Sequence, residues 1–207
     1  MSKDTQKRVR IVDDGFATNP REDTMYNHMI CFHRKYNLGD TDESLGYSKK
    51  ELENRANGWD ALKKILQKEH DAVVILPLYL YDHGGITMNT TGFSCPWDSG
   101  QVGFIYHTKK DIKAMYPKFE TITYKRKALL KGYLVAAVEE YEHYLSGECY
   151  GYVLEELTCE KCGTWKEIDR GYGFLGPYKT SGLLDYARQE AGPEMPMFDT
   201  NGALITL

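Results

Sequence analysis

Apolar residues run almost without a break over residues 72–81, a stretch of Val, Ile, Leu and Tyr punctuated by Pro77. Such a run marks a strand covered on both faces, so it predicts the centre of a sheet. Pro77 has no ladder donor, and the strand is expected to bulge or end there. Residues 101–107 and 29–33 read as two further strands, and 9–12 as a short one. Residues 149–157 alternate and then turn tightly through Cys159, Cys162 and Gly163, so that 165–168 complete a hairpin. Helical spacing appears elsewhere. Ser48 followed by Glu51 is a capping box that opens a helix to about residue 70, weakened at Gly58. Thr108 with Asp111 caps a short helix. Leu130, Leu134, Ala137, Val138, Tyr141 and Leu145 give the clearest helix, over 124–145, stopped by Gly147. A last helix is predicted over 183–190.

Strands and helices follow one another without a regular β-α alternation. The order predicts an α+β fold with a mixed or antiparallel central sheet and two longer helices. One domain is expected over residues 26–191, with a flexible segment over 1–25 and a loosely attached tail over 192–207 that holds two Pro. Residues 82–100 read as a long loop without periodicity. Loops of that length in compact domains usually carry function, and the aromatic and Cys content argues against disorder.

Composition adds limits. The chain has 207 residues and a formal net charge of −4, which argues against a broad electrostatic hold on nucleic acid. A local basic patch at Lys125, Arg126, Lys127 and Lys131 leaves nucleic acid open as a partner. No stretch is apolar enough to span a bilayer, and the N-terminus lacks the apolar core of a signal peptide. A cytoplasmic protein with reduced thiols is therefore expected, its five Cys being odd in number and not spaced as a disulfide framework.

Candidate chemistry concentrates in and beside the long loop. Cys95 precedes Pro96. If Pro96 opens a helical turn, the thiol caps it and gains thiolate character. His83, His33 or His107 would be its base, and Asp82, Asp98 or Asp40 would orient the imidazole. His83, His33, Asp82 and Asp98, with Asp40, offer N and O ligands for a metal. Tyr79, Tyr81, Trp97, Gln101, Arg34 and Asp40 are candidate binding residues. Trp97 and Tyr79 are the candidate anchors, because interfaces favour aromatic side chains with charged rims. Cys159 and Cys162 form a Cys-x-x-Cys turn shaped like a zinc knuckle. Zinc there needs further ligands from Cys149, Cys31 or His143; the bland reading is a hairpin turn with two thiols.

Several motifs together resemble a family of small, uncharacterised proteins of tailed phages and other mobile elements. They are Cys31-Phe32-His33-Arg34 with Leu38-Gly39-Asp40, the stretch 76–85, the stretch 93–106, and Tyr144-Leu145 with Gly147 and Tyr150-Gly151-Tyr152. The resemblance covers roughly residues 29–178. It departs at Gly171-Tyr172-Gly173-Phe174, where the family carries a Cys-Trp-Gly-Phe element. What the resemblance implies is a setting: an accessory protein that binds and inhibits a host factor, such as a defence nuclease of the CRISPR or restriction type. The alternative, read from the residues, is a Cys-His-Asp or metal-dependent hydrolase acting on a nucleotide or nucleic acid through residues 82–98.

Overall fold

A computed structural model describes residues 6–22 and 26–206. The elements in chain order are β1 (Lys7–Asp13), β2 (His28–Cys31), α1 (Asp42–Leu45), α2 (Lys49–Arg55), α3 (Trp59–Glu69), β3 (Ala72–Asp82), β4 (Ile86–Asn89), β5 (Ser99–Thr108), α4 (Lys109–Met115), α5 (Tyr124–Ser146), β6 (Cys149–Cys159), β7 (Thr164–Leu175), α6 (Leu183–Ala191) and β8 (Met197–Phe198). The class is α+β, and α3 and α5 are the two longer helices. No helix among the described residues is long and apolar enough to cross a membrane.

Contacts gather the chain into two compact units, a finer division than one domain over 26–191: Asn19–Ser146, and Met1–Thr18 with Gly147–Leu207. The unit Asn19–Ser146 holds an antiparallel sheet in the order β2-β5-β3-β4. Alternation along β3 and β2 splits its core in two. Val74, Leu78, Leu80 and Met29 pack with Leu130, Leu134, Val138 and Tyr141 of α5. On the other face Ile30, Ala72, Phe104 and Tyr106 pack with Leu52, Leu62 and Leu66 of α2 and α3. The apolar run at 72–81 is thus covered on both faces, as its composition predicts. Pro77 neither ends nor bulges the strand. It pairs with Phe104, and the irregularities fall at Ala72/Val74 and Leu78/Tyr79. The pairing of β4 reaches only from Tyr79 to Asp82, so one side of β3 is open beside Pro77 and a missing donor there is tolerated.

The other unit holds a mixed sheet in the order β7-β6-β1-β8, with α6 packed on Val9, Ile11, Tyr152 and Leu154. Here three expectations are corrected. The segment 1–25, expected to be flexible, contains β1, which extends the short strand expected over 9–12 into an interior strand with Val9 and Ile11 buried, because its alternating apolar residues complete the sheet face under α6; residues 1–5 and 23–25 lie outside the described residues. The tail is not loose over its described part. Met197 is buried, β8 pairs in parallel with β1, and Ile205 N–H donates to the Met197 carbonyl at 2.8 Å; Leu207 lies outside the described residues. The hairpin beyond Cys159 is longer than the 165–168 expected, since β7 runs on through Gly171, Tyr172, Gly173 and Phe174.

Two differences concern the first unit. Ser48 does cap a helix through the Glu51 N–H, but Gly58, at φ +85°, separates α2 from α3. Residues 82–100 are not wholly loop. They fold back at His83, Gly84 and Gly85 into the edge strand β4, which the weak pattern of residues 86–89 does not announce.

Candidate functional site

Antiparallel pairing brings the C-terminal ends of β2 and β3 and the start of β5 to one edge of the sheet. Everything the chain places just beyond those ends therefore converges. An open cleft of about 470 Å³ forms there, lined by Phe32, His33, Arg34 and Lys35 after β2, Leu80 and Asp82 from β3, and Trp97 to Val102 entering β5. Side chains on loops braced by a rigid sheet are a common way to present a site.

The cleft wall is cross-tied. Asp82 N–H donates to the Asp98 carbonyl at 2.8 Å. The Asp82 carboxylate accepts from Lys35 Nζ at 3.0 Å and from the Tyr36 hydroxyl at 3.2 Å. The bond from Lys35 holds the Asp82 carboxyl below its ordinary range and raises Lys35 in turn. His33 Nδ1 accepts the backbone N–H of Lys35 and of Tyr36, both at 3.3 Å, and its ring stacks on Tyr36 with centroids 5.0 Å apart. A neutral His33 therefore carries its proton on Nε2, away from that turn. Lys35 and Tyr36 join the candidate site without being among the residues expected there. Their one signal was proximity in the chain to His33 and Arg34.

Asp98 is the meeting point of the candidate triad, but in an unproductive order. His83 Nδ1 lies 3.2 Å from Asp98 Oδ2, and the Cys95 thiol donates to the same oxygen at 3.6 Å. A working triad puts the imidazole between the nucleophile and the carboxylate; here the carboxylate stands between thiol and imidazole. Pro96 opens only a turn before β5, so no helix caps Cys95, and Ser99 Oγ instead donates to the Cys95 carbonyl at 2.5 Å.

Other expected residues divide. Trp97, Gln101, Arg34 and His33 line the cleft. Trp97 stands at its lip, 92% exposed. Tyr79 and Tyr81 do not line it, because strand alternation turns them away from the side of Leu80 and Asp82. Tyr79 packs over Gly92, and Tyr81 lies 5.6 Å from Phe93. Asp40 is withdrawn from binding altogether. It is buried against Arg21 and accepts the Met29 N–H at 2.8 Å. A second opening of about 440 Å³ shares Phe32, His33 and Arg34 with the first and continues to Lys49 and Lys50.

The zinc expectation is also corrected. Cys159 and Cys162 face each other at the tip of the β6–β7 hairpin with their sulfurs side by side, and among the described residues no third ligand joins them. Cys149 sits ten residues back at the other end of β6, roughly 30 Å away along an extended strand. Among the described residues no three His, Cys, Asp or Glu side chains gather as a metal site, so neither this turn nor the set of His33, Asp40, Asp82, His83 and Asp98 forms one.

Neither protein-family models nor curated proteins nor solved structures give a match to this chain.

Proposed function

We propose that this chain is a binding module: an accessory protein of phage or mobile-element type that engages a host protein through the cleft and blocks it in the host cytoplasm, a defence nuclease being the kind of target. One observation carries the reading. Trp97 holds a large apolar side chain in solvent at the lip of a polar, cross-braced cleft. Tryptophan seated against a partner is among the strongest anchors known in interfaces, and Arg34 and Lys35 beside it supply a charged rim. The braces formed by Lys35, Tyr36 and Asp82 hold the lip in place before binding, which lowers the ordering cost.

The test is a two-step measurement. Tagged protein captures candidates from host lysate, and the candidate is then purified and titrated with the native chain and with Trp97→Ala. A fall in affinity of tenfold or more is expected. Equal affinity for every purified candidate sinks the assignment of the anchor.

A second reading, a hydrolase acting on a nucleotide or nucleic acid, is favoured by the convergence of Cys95 and His83 on Asp98. It requires His83 to reorient onto the thiol. Turnover of a nucleotide ester that disappears in both Cys95→Ser and His83→Ala supports it; turnover that survives either change counts against it.

A further inference from the structure

Charge is distributed unevenly along this acidic chain. Between residues 109 and 133 the sequence holds eight Lys or Arg against two carboxylates, Asp111 and Glu120, although the whole chain carries −4. Asp111 is buried, accepts from Thr108 in the capping box and faces His28 at 3.2 Å. Lys109 lies 3.5 Å from Asp71. Glu120 is the one exposed carboxylate within the stretch itself.

The segment is a built surface rather than a frayed run of lysines. The connector between α4 and α5 is laid onto the first turns of α5 by an aromatic and cationic ladder. Tyr116 and Phe119 stack with centroids 4.3 Å apart and planes within 7°. The Arg126 guanidinium lies 4.1 Å over the Phe119 ring, and its Nη1 donates to the Thr121 carbonyl at 2.7 Å. At the other end of the ladder the Tyr116 and Tyr133 hydroxyls are hydrogen-bonded at 2.6 Å. Helical spacing then sorts the rest. Leu130, Leu134 and Val138 face the sheet. Tyr124, Lys127 and Lys131 follow one exposed row, and Lys125, Leu129 and Tyr133 another on the far flank, so a ligand strand that reaches both Tyr124 and Tyr133 crosses the exposed face of α5. Tyr124 is 88% exposed.

We propose that this α4–α5 surface is a binding site for single-stranded nucleic acid, with Lys118, Lys125, Lys127 and Lys131 on phosphates and Tyr124 and Tyr133 offering ring faces to bases. Two features choose this partner. Lysines interleaved with aromatic rings are how sequence-tolerant single-strand sites are made, since every base has a face to stack and every nucleotide a phosphate. An anionic membrane, the other polyanion, calls for a broad apolar face alongside the charges. The apolar face of α5 is already buried in the core, and the exposed aromatics are tyrosines with a single leucine. The site is separate from the cleft and does not depend on the reading given to it.

The experiment is fluorescence anisotropy with the full chain and a labelled twenty-residue oligothymidine, over a salt series, beside flotation with phosphatidylserine vesicles. Four phosphate contacts give a slope of log K against log salt of about −3, so affinity falls roughly 50-fold between 50 and 200 mM salt. The variant Lys125→Glu/Lys127→Glu/Lys131→Glu should weaken binding at least tenfold and flatten the slope by about 2. Tyr124→Ala should weaken the single strand more than a duplex of the same length. Loss of the fold in the triple variant is detected by circular dichroism, and Lys118→Glu with Tyr124→Ala then serves in its place. No binding by the native chain, binding indifferent to salt, binding unchanged in a folded charge variant, or binding to vesicles alone overturns the proposal.

Discussion

Asp40 Oδ1 accepts the Arg21 Nε–H at 2.8 Å, with both side chains almost wholly withdrawn from solvent. Arg21 Nη2 lies 2.7 Å from the same oxygen without the alignment of a hydrogen bond, so its contribution is coulombic. The remaining Asp40 oxygen takes the Met29 N–H, and Arg21 Nη1 donates to Asn27 at 2.8 Å. This pair ties the turn after β2 to the strand itself. Gly39 makes the approach possible, since a Cβ there would stand 2.6 Å from the Met29 carbonyl oxygen. Removing one partner strands a buried charge. Asp40→Ala is expected to lower unfolding free energy by about 3–5 kcal/mol in urea titrations. Arg21→Met/Asp40→Leu should be much milder than Asp40→Ala alone. A double variant as unstable as the single would show that geometry rather than charge matters here.

Glu155 gives the fold of the other unit a dependence on acid. Its carboxylate accepts from Arg8 Nε at 2.7 Å and from Arg10 Nη2 at 2.9 Å across the β1–β6 pairing. Burial alone pushes the Glu155 carboxyl up, but the hydrogen bonds and charge of Arg10 and Arg8 outweigh it and the carboxyl is held below its ordinary range. A carboxyl lowered in the folded state contributes stability that is present above its unfolded pKa of about 4.3 and is lost as pH falls through the folded value. Urea midpoints followed from pH 6 to pH 2 should therefore drop on the acid side, and Glu155→Gln should flatten that drop while lowering the plateau. A drop of the same size in Glu155→Gln would place the acid sensitivity elsewhere.

Gly103 separates packing from backbone conformation as reasons for glycine. On β5, it pairs with Cys31 and Leu78, and a Cβ there would lie 1.9 Å from the Ile30 carbonyl oxygen. Gly84, in the β3–β4 turn at φ +71°, has open space around its Cβ position. Gly103→Ala is expected to destabilise by about 3 kcal/mol, the upper end of the usual cost of overpacking, because the close approach is to backbone. Gly84→Ala should cost about 1 kcal/mol, the penalty for a left-handed backbone. Thermal melts that rank the two the other way would contradict the close approach of β2 and β5.

These cases show which signals a sequence carries openly. The apolar run through β3, the Ser48 and Thr108 caps and the α5 stripe are local, so spacing alone predicts them. The convergence at the cleft was legible as a concentration of Arg34, Trp97, Asp98 and Gln101 around strand ends. Its order was not. Which face Tyr79 takes depends on pairing and on the irregularity at Leu78/Tyr79, and no local spacing encodes that. Nor does spacing separate a buried structural Asp40 from an exposed binding one, because the partner, Arg21, lies nineteen residues away on the far side of β2 in the chain. The apolar pattern at 9–12 predicts β1 but not its interior place in the sheet, and β8 is too short to give any pattern. Each is short and gains its stability from a neighbour more than a hundred residues distant.

Cysteine reactivity decides between the two readings of the Asp98 cluster. Cys31 is buried beneath α5, and burial pushes its thiol up to about 12. The thiolate is the reactive form, so Cys31 should stay unmodified by iodoacetamide at pH 8 for as long as the protein is folded. Cys95 is partly exposed and should react. Its Sγ–H meets the Asp98 carboxylate, while His83 approaches that carboxylate from its own side, so no base is placed to take the thiol proton. Cys95 is therefore expected to alkylate no faster than a small reference thiol, as followed by mass spectrometry of tryptic peptides without reductant. A Cys95 that outpaces the reference thiol, and slows in His83→Ala, would show that the imidazole reaches it in solution, and the hydrolase would then displace the binding module as the better account of the cleft.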